Sequence, residues 1–150
     1  MTPPMEFSSP TASDAHSIAE VFLASIKSAM PWLSSPHSDD DVHRWIAEVA
    51  IPSGTLEVIK LQGETAGLMA LENGWIQHLY IHPSMQGVGI GSSCVQRAKS
   101  LYPSGLQLWT FQRNQRARQF YERRGFVCVE ETDGAGNEER EPDARYLWQP

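Results

Sequence analysis

The chain has 150 residues, 41% of them hydrophobic, and a formal net charge of −6. That length suits one domain over residues 1–150 with a core of its own, and the acidic balance argues against a nucleic-acid partner, which asks for a broadly basic domain. No apolar run approaches the ~18 residues of a membrane span, and MTPPMEFSSP lacks the basic start and apolar stretch of a secretory signal, so a cytoplasmic protein with no membrane partner is expected.

Met1 to Pro4 is expected to be disordered, and Glu6 to Ser8 to form a short first strand. Asp14 to Ala29 reads as a helix, because Ile18, Val21, Phe22, Ser25 and Ile26 recur at helical spacing before Pro31. Ser38 followed by three aspartates is a strong helix start, since a hydroxyl cap and early acids satisfy free N–H groups and the helix dipole. Val42, Trp45, Ile46 and Val49 give that second helix its expected buried stripe. Strands over Leu56–Leu61, Thr65–Leu71 and Trp75–Ile81 form a meander. Asn73–Gly74 suits the positive φ angles of its second turn. After His82–Pro83 comes the loop QGVGIG, then a helix marked by Ile90, Cys94, Ala98 and Leu101. Leu106–Phe111 reads as a strand, Asn114–Arg124 as a helix closed by Gly125, and Phe126–Glu131 and Tyr146–Trp148 as the last strands. Strands and helices in this order describe an α+β fold with one crossover. Cys94, in a helix, and Cys128, in a strand, read as ordinary core thiols of a reducing compartment.

Charge is unevenly spread. Residues 1–81 carry −7, residues 82–125 carry +6, and residues 126–150 carry −5. The basic island begins at the glycine loop, which suggests a small anionic ligand; a solvated arginine-rich helix face is the plain alternative. The loop is not a P-loop, because no lysine follows it. It is not a dinucleotide fingerprint either, because Ser92 stands where the third glycine belongs. What remains is a strand, a glycine turn and a helix N-terminus. That arrangement suits phosphate through oriented N–H groups, or serves as a tight turn with no ligand.

The spacing Gln86-x-x-Gly89-x-Gly91 resembles the Q/R-x-x-G-x-G/A motif of the GNAT acyltransferase superfamily. HLYIHP before it looks like that family's fourth strand. Asn114-x-x-Ala117-x-x-x-Tyr121-x-x-x-Gly125-Phe126 resembles its second cofactor motif. Together the motifs span residues 75–127, and the element order fits from about residue 6 onward. The chain departs from the pattern at SSP, where a strand with an arginine often stands.

The resemblance implies a mixed, mostly antiparallel sheet of about six to seven strands, flanked by about four helices and splayed between the fourth and fifth strands. It implies acetyl-CoA as donor and no metal. Pantetheine would pair with the backbone of Leu79, Tyr80 and Ile81. Pyrophosphate would rest on N–H groups of Gln86, Gly87, Val88, Gly89, Ile90, Gly91 and Ser92. Asn114, Ala117 and Tyr121 would complete the cofactor site, and Arg113, Arg116 and Arg118 lie where phosphate could meet them. Homodimers are common in the family.

Asn114 and Tyr121 lie nearly two turns apart, so they share a helix face with Ala117. Asn114 is also a good N-cap. Tyr121 is the expected general acid for the leaving thiolate, and the N–H of Leu79 the expected oxyanion donor. For the base, His78 is the first candidate, Glu72 the second and His82 the third; each also reads as an ordinary strand or turn residue. His37 and His43 flank the three aspartates, but a helix start explains that pattern better than a metal. Trp32 and His37 lie in a region that borders the acceptor site in the family. Trp109 and Phe111 read as core. The acidic tail DGAGNEEREPDARYLW reads as a solvated loop or as a rim that attracts a cationic amine. The activity this implies is N-acetylation of a primary amine on a small molecule or peptide; a non-catalytic acyl-CoA-binding module or sensor is the alternative.

Overall fold

In the computed structural model, which describes residues 4–150, seven strands form one mixed sheet in the order β1-β2-β3-β4-β5-β7-β6. They are β1 Met5–Ser8, β2 Leu56–Leu61, β3 Glu64–Glu72, β4 Trp75–Ile81, β5 Leu106–Phe111, β6 Val127–Glu131 and β7 Asp143–Trp148. The helices are α1 Ala15–Ala29, α2 Asp39–Trp45, α3 Ile90–Leu101 and α4 Gln115–Glu122. The expected order, sheet type and helix number are present. Residues 1–3 of the segment expected to be disordered lie outside the described residues. Pro4 is exposed.

The chain meets its expected turns for the expected reasons. Asn73 and Gly74 both take positive φ at the β3–β4 hairpin. Ser38 caps α2 with a reciprocal capping box, its Oγ accepting from Asp41 N and its own N–H donating to Asp41 Oδ2, both at 3.1 Å. The second helix departs from expectation at its end. After Trp45 the backbone widens into a π-turn over Ile46–Ala50, closed by Ile51 N donating to Ile46 O. The wider turn brings Ala50 inward beneath Ile46, leaving Val49 outside the expected stripe and 54% exposed. Leu101, the last residue of α3, is likewise exposed.

Two apolar layers cover the sheet. One face packs on α3 and α4 through Ile76, Ile90, Cys94, Ala98, Leu106, Tyr121 and Phe126. The other packs on α1 and α2 through Ile18, Val21, Ile46, Val58 and Leu68. A bulge in β4 decides which face each site residue meets. Ala70 pairs with His78 but Leu71 pairs with Ile76, so Gln77 is an extra residue. After that shift Leu79 and Ile81 pack with Ile76 against the α3 layer, while Tyr80 packs against the α1 layer.

The feature that positions the site is the join between the two halves of the sheet. β4 and β5 are parallel and in register at one pair, Trp75 with Gln107. Every other neighbouring pair of strands is antiparallel with four or more register partners. Beyond Trp75 and Gln107 the two strands part.

Candidate active site

A cavity of about 610 Å³ occupies this gap and passes from one face of the sheet to the other. The α3 and α4 side contributes Gln86, Gly87, Gly89–Ser92, Arg116, Ala117, Phe120, Tyr121 and Arg124. The α1 side contributes Ser25, Ser28, Ala29, Met30 and Tyr80. The acyl-CoA residues expected from sequence therefore converge on one space, with three qualifications. Val88 points away from the cavity, 48% exposed. Glu72 lies outside it, at the far end of β3, where its carboxylate accepts from Gln77 Nε2 at 3.1 Å. His82 is engaged locally, its Nδ1 accepting from Ser84 N at 3.1 Å, and it does not line the cavity.

The glycine loop has the geometry of an anion site. Gly87 and Gly89 adopt φ of 86° and 88°, and a Cβ on either would meet nothing within 4 Å. These positions need glycine for the backbone turn, and the space beside them is open. The first intrahelical bond of α3 runs from Ser93 N to Gly89 O, so the N–H groups of Ile90, Gly91 and Ser92 precede the ladder and are free of it. Gly91 has a different reason. A Cβ there would stand 3.0 Å from Cε1 and Cζ of Phe120, so its absence lets α3 approach α4.

The β4 backbone is sorted by its ladder. His82 N donates to Ala66 O at 2.8 Å, and the register from Gly67–Ile81 to Met69–Leu79 is unbroken. Hydrogen-bonded and non-bonded pairs alternate in antiparallel strands. Tyr80 therefore bonds β3 through its backbone, whereas Leu79 and Ile81 turn theirs into the gap. Ile81 O already accepts from Ser25 Oγ at 2.7 Å and Gln86 Nε2 at 3.1 Å. The Leu79 N–H faces the gap without a β3 partner. Tyr80, expected to offer backbone, offers its side chain instead.

Two phenols and an imidazole meet in this space. Tyr121 is buried, packed between Phe120 and Phe126 at ring distances of 5.0 and 5.4 Å. Burial raises its pKa above the ordinary 10.0, helped by Tyr80, so it stays protonated at neutral pH. Its hydroxyl has no hydrogen-bond partner among the described residues. Tyr80 packs edge-on against Phe22 at 4.9 Å, and burial, then the charge of Glu139, pushes its pKa up to about 12. His78 packs edge-on against Trp45 at 5.3 Å. Burial pushes its pKa down to about 4, and its buried Nδ1 has no partner. It is neutral at pH 7 and a weaker base than free imidazole. Asn114 caps α4, its Oδ1 accepting from Ala117 N at 3.2 Å, while its side chain also lines the cavity.

The three arginines separate. Arg118 donates to the Tyr146 hydroxyl at 2.8 Å and to Glu131 at 2.9 Å, which raises its pKa and holds it away from the cavity. Arg113 covers the Trp32 ring at 4.0 Å. Arg116 lines the cavity, as does Arg124, which sequence reasoning missed. Arg124 donates to Ser92 Oγ in the first turn of α3 and to Phe120 O at 2.8 Å, with its guanidinium 3.7 Å from the Phe120 ring centroid. A run of two arginines before Gly125 was the available signal. Trp109 and Phe111, expected in the core, line the cavity because β5 has no neighbour on this side beyond Gln107. His37 pairs with Glu138 at 3.0 Å, and His43 with Glu20 at 3.3 Å.

The fold has many structural counterparts. The apo solution structure of YjaB from Escherichia coli is 18% identical with a TM-score of 0.81, each chain covered to 97%. An acetyltransferase from Thermus thermophilus is 18% identical with a TM-score of 0.77, each chain covered to 99%. The PaiA N-acetyltransferase of Thermoplasma acidophilum, solved in complex with coenzyme A, is 16% identical with a TM-score of 0.72; the match covers 98% of this chain and 99% of that one. No curated protein matches the sequence. Residues 40–128 match the family model described as the acetyltransferase (GNAT) domain. That span runs from α2 through the glycine loop and α4 into β6, so the chain belongs to the GNAT acetyltransferase family.

Proposed function

We propose that this protein transfers an acetyl group from acetyl-CoA to a primary amine by direct attack. The observation that carries the reading is the parting of β4 and β5 beyond Trp75 and Gln107, which opens a passage lined by both the glycine loop and Tyr121. The donor's pyrophosphate lies on the N–H groups at the start of α3, beside Arg124. Its pantetheine arm runs along β4, where Leu79 offers backbone unpaired with β3 and Ile81 offers its N–H. A CoA complex of a structural counterpart supports this choice of ligand.

The neutral amine adds to the thioester carbonyl. The Leu79 N–H stabilises the oxyanion. As the C–S bond breaks, Tyr121 gives its proton to the departing thiolate. The amine's own proton leaves through solvent in the cavity. Of the three base candidates, His78 is the one that lines the cavity, in its neutral form. Glu72, outside the cavity and bonded to Gln77, takes no direct part on this reading.

A thiol-release assay with acetyl-CoA over a panel of amines tests the reading. Amine-dependent release supports transfer. Tight CoA binding without turnover on any amine would instead support a binding module or sensor.

A further inference from the structure

Charge is segregated along the cavity. Its charged lining consists of Arg116 and Arg124 towards the glycine loop, and Glu139 and Asp143 elsewhere. The two arginines belong to α4 and its C-terminal end, on the donor side. The β6–β7 loop that carries Glu139 reaches the segment after α1, where Glu138 pairs with His37 and Arg113, beside Glu141, covers Trp32. Glu139 therefore faces the half of the cavity opposite the donor's phosphates.

Its acidic neighbours on the β6–β7 loop and at the start of β7 have partners within the fold. Glu138 pairs with His37 at 3.0 Å. Glu141 lies 3.7 Å from Arg113. Asp143 accepts from the Thr132 hydroxyl and from Asn137 Nδ2. Glu139 has no ion-pair or hydrogen-bond partner among the described residues, yet it lines the cavity. A carboxylate turned into a partly enclosed space without a counter-ion favours a cationic occupant.

Resting on the donor reading above, we infer that Glu139 is an acceptor-binding residue that holds a second cationic group of the acceptor, such as the distal ammonium of a diamine or a guanidinium beside the reacting amine. The charge belongs to a second group because the attacking nitrogen must be neutral. A carboxylate holding that nitrogen as ammonium would raise its pKa and oppose the attack. The cavity is thus a two-charge selector: arginines for the donor's phosphates, Glu139 for the acceptor's far cation.

The test compares primary amines of matched length that end in ammonium, methyl or carboxylate. Acetyl transfer is read as kcat/KM, and acetyl-CoA affinity by calorimetry, in the parent, Glu139→Gln and Glu139→Lys. The parent should prefer the diamine by about tenfold or more, a typical effect of one charge-assisted contact. Glu139→Gln should erase that preference through the diamine's KM, and Glu139→Lys should turn it towards the carboxylate-bearing amine. A preference unchanged in Glu139→Gln, no preference in the parent, or donor binding with no turnover of any cationic amine would overturn the proposal. Failure to bind acetyl-CoA would overturn the donor reading beneath it, a result calorimetry separates from the others.

Discussion

Trp75 and Gln107 form the one register pair between β4 and β5 among the described residues, and the cavity begins where that pairing stops. Parallel strands this close would ordinarily continue their ladder. Here the backbone donors of β4 beyond the bulge are left for something other than β5, and the first prediction concerns the acid that would act there.

Tyr121→Phe removes a hydroxyl that bonds to no described residue and leaves its ring in the packing with Phe120 and Phe126. Folding and coenzyme affinity should hold. The turnover number should fall by about 10²-fold, the lower range for a general acid. Steady-state kinetics with parallel CoA calorimetry checks both halves; an unchanged kcat would remove Tyr121 from the mechanism.

Arg124 and Arg118 should respond in opposite ways. Arg124→Gln loses the cation beside Ser92, and coenzyme affinity should drop about tenfold, more at low salt than at high salt. Arg118→Gln leaves the cavity intact but unties Tyr146 and Glu131. Its urea midpoint should fall while coenzyme affinity stays put. Equal losses of affinity in both would contradict the assignment.

Gly91→Ala forces a methyl against Phe120 at 3.0 Å, and should cost about 1–2 kcal/mol by overpacking. Adding Phe120→Leu should recover part of that loss, because the clash is with the ring. Gly89→Ala should not be recovered by Phe120→Leu, since its difficulty is a φ of 88° in open space. Urea unfolding of the single and double variants distinguishes the two.

Stability should depend on His78 in a defined pH window. Its folded pKa of about 4 lies below the ordinary 6.5. Between those values the unfolded chain binds a proton that the folded chain refuses. The contribution is complete above about pH 6.5 and is lost as pH falls towards 4, on the order of 3 kcal/mol in all. Asp14 and Asp41, with pKa values lowered below 3.8, give up their contributions at still lower pH. Denaturant unfolding between pH 4.5 and 7.5 should show the slope in the parent and a flatter one in His78→Phe. An equal slope in both would contradict the buried neutral imidazole.

Much of this was legible in the sequence, because it rested on local chemistry. Ser38 with its aspartates, Asn73–Gly74 and the QGVGIG turn each act through their own backbone, and each appears where its residue types place it. The misses were made by tertiary structure. Val49 is exposed because a π-turn resets the helical phase. Glu72 sits outside the cavity because the strand end that carries it faces away from the gap. The Gln77 bulge moves His78 and Tyr80 to the α1 face, and no periodicity in WIQHLYI announces it. Arg124 and Glu139 come to the cavity from segments distant in the chain from β4 and α1, and their neighbours of the same charge, Arg118 and Glu138, are neutralised elsewhere. Charge counts located the basic island but could not sort its members.

The central claim is that acyl-CoA lies in the gap between β4 and β5. Amide shifts of labelled protein titrated with CoA test it most directly. The account predicts the largest changes at Leu79, Ile81 and Gly87–Ser92. Changes confined to the depression on the other side, around Phe7, Thr55, Glu72 and Arg97, or no saturable change at all, would contradict it.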